Sequence, residues 1–165
     1  MVPRDSLAQV EEDHDALLHG MGRAPRCVAV LGFSYGGYMA ALLTSVRRVN
    51  RLVLRSPALY PDHDWNAPKV ALDEAELRAF RARVHAPSEN RALGCCAAFE
   101  GDVLLVASEK DEVIPPPVIE SYRAAFGRAR SFAFFMLPGA DHALSDDRHK
   151  ALYHRRVVEW LGQTA

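Results

Sequence analysis

Residues 32–36 read Gly32-Phe33-Ser34-Tyr35-Gly36, a serine with glycine two places before and two places after it. That spacing suits a nucleophile held on a sharp turn, where bulky neighbours would clash and only small residues fit. A serine hydroxyl is a weak nucleophile and needs a base, itself held by an acid. Two later segments offer them. Ser108-Glu109-Lys110-Asp111-Glu112-Val113-Ile114-Pro115 carries Asp111, and Pro138-Gly139-Ala140-Asp141-His142 carries His142. Ser34, Asp111 and His142 in that order would support nucleophilic acyl transfer. Glu109 and Glu112 flank Asp111 as rival acids, and Asp62 and Asp64 are further alternatives. Asp141 reads as a surface turn residue. His149 falls at the start of the last helix and reads as exposed. The other histidines (14, 19, 63, 85 and 154) share no ligand spacing, so no metal is predicted and no cofactor is called for.

Such distant residues meet only if the right elements carry them. Leu7, Val10, Leu17 and Leu18 recur on one side of a predicted helix over residues 5–20. The valine-rich run Arg26–Leu31 reads as a buried strand ending at the glycine turn, and a helix resumes over Tyr38–Val46. Leu52–Leu54, Val103–Ser108 and Ser131–Leu137 are three more strands. Tyr60–Pro68 is a loop, Asp73–Val84 and Pro87–Phe99 are helices, a helix runs from Pro115 to about Phe126, and His149–Leu161 closes the chain. Leu152, Val157, Trp160 and Leu161 face inward on that last helix. Strands alternating with helices predict a small, mostly parallel α/β sheet of four strands with helices on both faces. The strand C-termini then share one edge, where Ser34, Asp111 and His142 can converge.

At the three segments quoted, the sequence resembles the α/β-hydrolase superfamily. It is closest in look to bacterial esterases and to the dienelactone-hydrolase and prolyl-oligopeptidase-like branch. The resemblance runs over essentially the whole chain. It implies nucleophile Ser34, acid Asp111 and base His142, with the N–H of Tyr35 donating to the oxyanion. It also implies a departure. Family members carry several strands before the nucleophile strand, and a His-Gly segment there supplies a second oxyanion donor. This chain looks like the C-terminal half of that fold and has no His-Gly-Gly segment before Ser34. A substitute donor would come from the first residues, from the 60–68 loop, or from another subunit. The Arg26–Leu31 strand would lie at the sheet edge, an apolar edge that invites pairing. A homo-oligomer through that edge or a neighbouring surface is therefore expected; a covering N-terminal helix is the other possibility.

A single domain over 1–165 is expected, with a short helical cap around 60–99 and an open, shallow site. Phe33, Tyr60 and Trp65, with Phe99, are candidates to line a substrate pocket. The natural expectation is a serine esterase acting on small carboxylic esters, a small-molecule partner. The alternative is a catalytically impaired remnant serving as a binding or assembly module. A peptidase role is less expected, since no second domain is seen to hold a peptide. The 165 residues carry a formal net charge of −1 and a pI of about 6.6, without the basic surplus of a nucleic-acid binder. Arg47-Arg48 and the arginines at 78, 81 and 83 read as solvated helix faces. The charged first twenty residues hold no apolar leader, and no run approaches the ~20 apolar residues of a membrane span. Three cysteines, two of them adjacent, make a poor disulfide framework and fit a reducing compartment, so a cytoplasmic location is expected. Cys27 reads as buried and inert.

Overall fold

We describe the protein from a computed structural model covering residues 2–163. The apolar runs form β1 (Ala29–Phe33), β2 (Arg51–Arg55), β3 (Asp102–Lys110) and β4 (Ser131–Asp141). All pair in parallel, in the order β1-β2-β3-β4. Parallel neighbours need crossovers, and helices supply them. Helix α1 (Pro3–Gly20) precedes β1, and α2 (Tyr35–Leu43) joins β1 to β2. Helices α3 (Glu74–Arg81) and α4 (Arg91–Ala98) follow β2, α5 (Pro116–Ala125) follows β3, and α6 (Asp147–Gln163) follows β4.

Alternation along the strands sorts side chains to two faces. Leu52, Leu54, Val103 and Leu105 are fully buried beneath α2, α4 and α5. Val53, Leu104, Val106 and Leu137 meet Leu152, Val157, Trp160 and Leu161 of α6 on the other face. Each fully buried leucine or valine contributes about 1.5–3 kcal/mol, so the interior of β2 and β3 anchors the molecule. No helix among the described residues is long and apolar enough to cross a membrane.

Several boundaries differ from expectation, each for a physical reason. The first strand starts at Ala29 and runs on to Phe33. Its start is set by Val28, whose N–H donates to Asn50 Oδ1 at 2.9 Å while its carbonyl accepts from Asn50 and Arg51. Cys27 therefore lies outside the sheet and is exposed, not buried. Leu17, expected to face inward, is 69% exposed; only Leu7 and Val10 of α1 pack against the core. Within 60–99, α4 is no cap helix, because Ala92, Leu93 and Cys96 are fully buried in the main core. α3, capped by the Asp73 carboxylate on the N–H groups of Ala75 and Glu76, has no fully buried residue and leans on the core through Leu77 and Phe80.

β1 is an edge strand, as expected. Its side chains at Leu31 and Phe33 project onto the α6 face beyond the reach of α6 and are 50% and 44% exposed. On the other face, Val30, Met39 and Ala40 line a groove of about 370 Å³ against Val10 of α1.

Candidate active site

Ser34 stands between the end of β1 and the start of α2, with φ 51° and ψ −117°. A non-glycine residue there costs on the order of 1–3 kcal/mol and persists only where its surroundings impose it. They do. Ser34 N–H donates to Arg55 O at 3.0 Å, and Ser34 O accepts from Gly37 N, Tyr38 N and Ala58 N. A Cβ at Gly32 would lie 2.5 Å from Gly36 O and 2.7 Å from Gly37 Cα. A Cβ at Gly37 would lie 2.9 Å from Pro57. The tight positions are thus 32 and 37; at Gly36 nothing lies within 4 Å, contrary to the expected need for a small residue there.

The three distant residues meet at the C-terminal edge of the sheet. Asp111, just past β3, accepts Val113 N–H at 3.0 Å and Ile114 N–H at 2.8 Å on Oδ1, which fixes its rotamer. Its Oδ2 lies 2.9 Å from His142 Nδ1, and His142 Nε2 lies 3.1 Å from Ser34 Oγ. Burial by itself raises the Asp111 carboxyl, but the bond from His142 and the amides of Ile114 and Val113 outweigh it and hold it below the usual carboxylate range. The Ser56 hydroxyl beside it also favours the charged form, without making a bond of ordinary geometry. An ionised carboxylate has no proton to give, so His142 Nδ1 carries the hydrogen and Nε2 is left as an acceptor facing Ser34. His142 and Asp111 side chains are only 16% and 6% exposed. Tyr35 begins α2, so its N–H sits at the positive helix end beside Ser34. Its hydroxyl donates to Ser6 Oγ at 2.9 Å and ties α1 to the turn.

The rival acids are engaged elsewhere. Asp62 accepts the Arg91 N–H and Asn90 Nδ2 at the start of α4. Asp64 lies 3.7 Å from His63. Glu112 is exposed, and Glu109 accepts the Gly139 N–H at 2.6 Å. Asp141 turns away from the imidazole to accept Ser145 N–H at 2.8 Å. His149 is partly buried, not exposed, and lies against Gly139.

Of the expected pocket residues, Phe33 lies against the imidazole: its ring centre is 5.1 Å from that of His142. Tyr60 is a correction. It is 8% exposed and packs edge-on against Tyr35 and Tyr38. The chain after β2 is pulled under the nucleophile turn by the Ala58 N–H to Ser34 O bond, and Asn90 Nδ2 holds Tyr60 O at 2.8 Å. Trp65 is likewise packed against the core, under the Arg91 guanidinium at 4.2 Å. Phe99 is buried against Phe126 and lines a hollow at the opposite, N-terminal end of the strands. Arg55 went unnoticed in the sequence. It is 4% exposed, its guanidinium lies 3.7 Å from the Phe33 ring centre, and Nη1 has no hydrogen-bond partner among the described residues. Burial pushes its pKa down, while Tyr153, Asp111 and Asp141 oppose that. The available signal was a charge closing the apolar run Leu52-Val53-Leu54 beside the nucleophile turn.

A parallel sheet with a strained serine turn and an acid and base on later strand ends defines the α/β-hydrolase class. The model of the prolyl oligopeptidase family matches residues 15–165, and the chain belongs to that family. No curated protein matches the chain. Solved structures do. Est1E from Butyrivibrio proteoclasticus aligns with TM-score 0.65 at 17% identity over 90% of this chain and 66% of its own. The esterase domain of a Rhodothermus marinus protein gives TM-score 0.62 at 18% identity, over 88% of this chain and 64% of its own. The monoacylglycerol lipase of Paleococcus ferrophilus gives TM-score 0.65 at 18% identity, over 96% and 76%. The chain spans 59% to 66% of the first three solved structures it matches.

Proposed function

We propose that this chain is a serine hydrolase that cleaves small carboxylic esters through an acyl-enzyme. The observation that carries the reading is the hydrogen-bonded line Asp111–His142–Ser34, with 2.9 and 3.1 Å links. His142 Nε2 takes the Ser34 proton as Oγ bonds to the ester carbonyl carbon. The resulting oxyanion lies toward the Tyr35 N–H at the start of α2. His142 then passes that proton to the leaving alkoxide, the C–O bond breaks, and an alcohol departs. Water repeats the sequence, its proton going to His142 and then to Ser34 as the acid leaves. Asp111 stays ionised throughout and holds the imidazole in the Nδ1–H form. Phe33, half exposed beside His142, is the residue expected to touch substrate.

A second reading, cleavage of peptide or amide bonds, is favoured by the family match. Hydrolysis of p-nitrophenyl acetate and butyrate against matching p-nitroanilides separates the two, with Ser34→Ala and fluorophosphonate labelling as controls. Ester turnover and labelling that both vanish in Ser34→Ala support the proposal; turnover of anilides alone favours the second reading. Wild type and Ser34→Ala behaving alike would return the chain to a binding or assembly role. The proposal extends to self-association through β1, whose free edge and exposed Leu31 and Phe33 adjoin the site.

A further inference from the structure

The base stands on an irregularity of the sheet. β3 and β4 pair in register up to Ser108 opposite Leu137, and then Lys110 pairs with Asp141. One residue of β3, Glu109, therefore faces three of β4: Pro138, Gly139 and Ala140. That bulge sets where His142 emerges, one residue beyond the resumed pairing. Extra residues in a bulge lose their ladder partners. Proline has no N–H to lose. Gly139, at φ 68°, turns its N–H out of the ladder, and the Glu109 carboxylate accepts it at 2.6 Å. On the far side of the imidazole, Asp141 accepts the Ser145 N–H at 2.8 Å. The segment bearing His142 is thus held by a carboxylate at each end, and only one comes from its own strand.

We infer that Glu109 is a positioning residue for His142: by holding the Gly139 N–H it fixes the Pro138–Ala140 bulge and keeps the imidazole between Asp111 and Ser34. The inference rests on the hydrolase reading of the same site. A bond to an ionised acceptor is roughly twice as strong as a neutral one. A misplacement of about 1 Å in a catalytic group costs about 10²-fold in rate. The bulge lies two residues upstream of the base, so its slack passes directly to the ring. Glu109 binds the backbone of the bulge, and its exposed side chain is not part of the core.

Glu109→Ala and Glu109→Gln, with wild type and Ser34→Ala, test this in the full chain. Glutamine keeps the length and an accepting oxygen. The expected result is that Glu109→Ala lowers kcat for p-nitrophenyl butyrate about tenfold or more, with KM and Tm near wild type, and Glu109→Gln recovers most of the loss. The low-field NMR signal of the His142 Nδ1–H bonded to Asp111 should broaden or vanish in Glu109→Ala and persist in Glu109→Gln. Wild-type kcat and an intact signal in Glu109→Ala would overturn the inference, as would a Glu109→Gln variant as impaired as Glu109→Ala. If the wild type turns over no faster than Ser34→Ala, the hydrolase reading has failed instead. The NMR comparison then decides the positioning role alone: loss in Glu109→Ala supports it and an unchanged signal sinks it.

Discussion

At the scale of single residues, the chemistry rests on which proton sits where. Asp111 is held ionised by the His142 N–H and two backbone amides, against its own burial. A carboxyl lowered on folding stabilises the folded state above its unfolded value, near ~4, and loses that contribution as pH falls through the lower folded value. Asp111→Asn should therefore flatten the acid side of a Tm-against-pH curve relative to wild type, as pH falls below the unfolded carboxylate value. The amide cannot fix the Nδ1–H form, so kcat should fall on the order of 10³–10⁴-fold while the fold is retained. A melting curve with wild-type acid dependence would show that Asp111 is not held ionised by these contacts. Arg55 is the unusual residue of this neighbourhood, a buried guanidinium that faces the Phe33 ring at 3.7 Å.

At the scale of elements, the site depends on a turn and a bulge. The β1–α2 turn leaves no space at Gly32, where an added Cβ meets backbone at 2.5 and 2.7 Å. Backbone cannot step aside as a flexible side chain can, so Gly32→Ala should cost about 1–3 kcal/mol or more and remove activity. Gly36 sits in the first turn of α2 with open space around its Cβ position. Gly36→Ala should shift stability by less than about 1 kcal/mol and keep a foldable turn. Urea melts of the pair measure this; equal destabilisation would mean that the glycines act through backbone freedom and not through contact. The Pro138–Ala140 bulge does for the base what the turn does for the nucleophile. Both break a regular element at its C-terminal end so that one side chain points along the sheet edge.

At the scale of the whole molecule, the sheet has two edges, β1 and β4, and the β1 edge adjoins the site. Among the described residues, β1 has no neighbour on its outer side. Leu31 and Phe33 stay half exposed on one face, and an apolar groove of about 370 Å³ lies on the other. Unpaired edge N–H and C=O groups beside apolar side chains favour strand addition. Sedimentation at micromolar protein should show association for the wild type and a monomer for Leu31→Lys, whose exposed position leaves the fold intact. A monomeric wild type would remove the self-association proposal and leave the site chemistry untouched.

The sequence by itself determined the order of strands and helices, the parallel sheet and the three residues, Ser34, Asp111 and His142, that the fold brings into one hydrogen-bonded line. Those signals are local: apolar runs, glycine spacing and carboxylates at strand ends follow from steric limits and hydrophobic periodicity. Cys27 could not be placed, because the Asn50 side chain, just before β2, sets the start of β1 from a distant part of the chain. Leu17 fits a helical apolar stripe, yet it points to solvent, 69% exposed. Tyr60 and Trp65 suit a pocket by residue type, but Tyr60 is buried beside the Ala58–Ser34 bond and Trp65 packs against the core from outside. Arg55 had no visible role and Glu109 read only as a rival acid, since one depends on a ring brought by β1 and the other on the register between β3 and β4. Only the tertiary structure decided which carboxylate reaches His142. A hydrogen bond needs two groups within about 3 Å, and nothing in linear spacing measures a distance across a sheet.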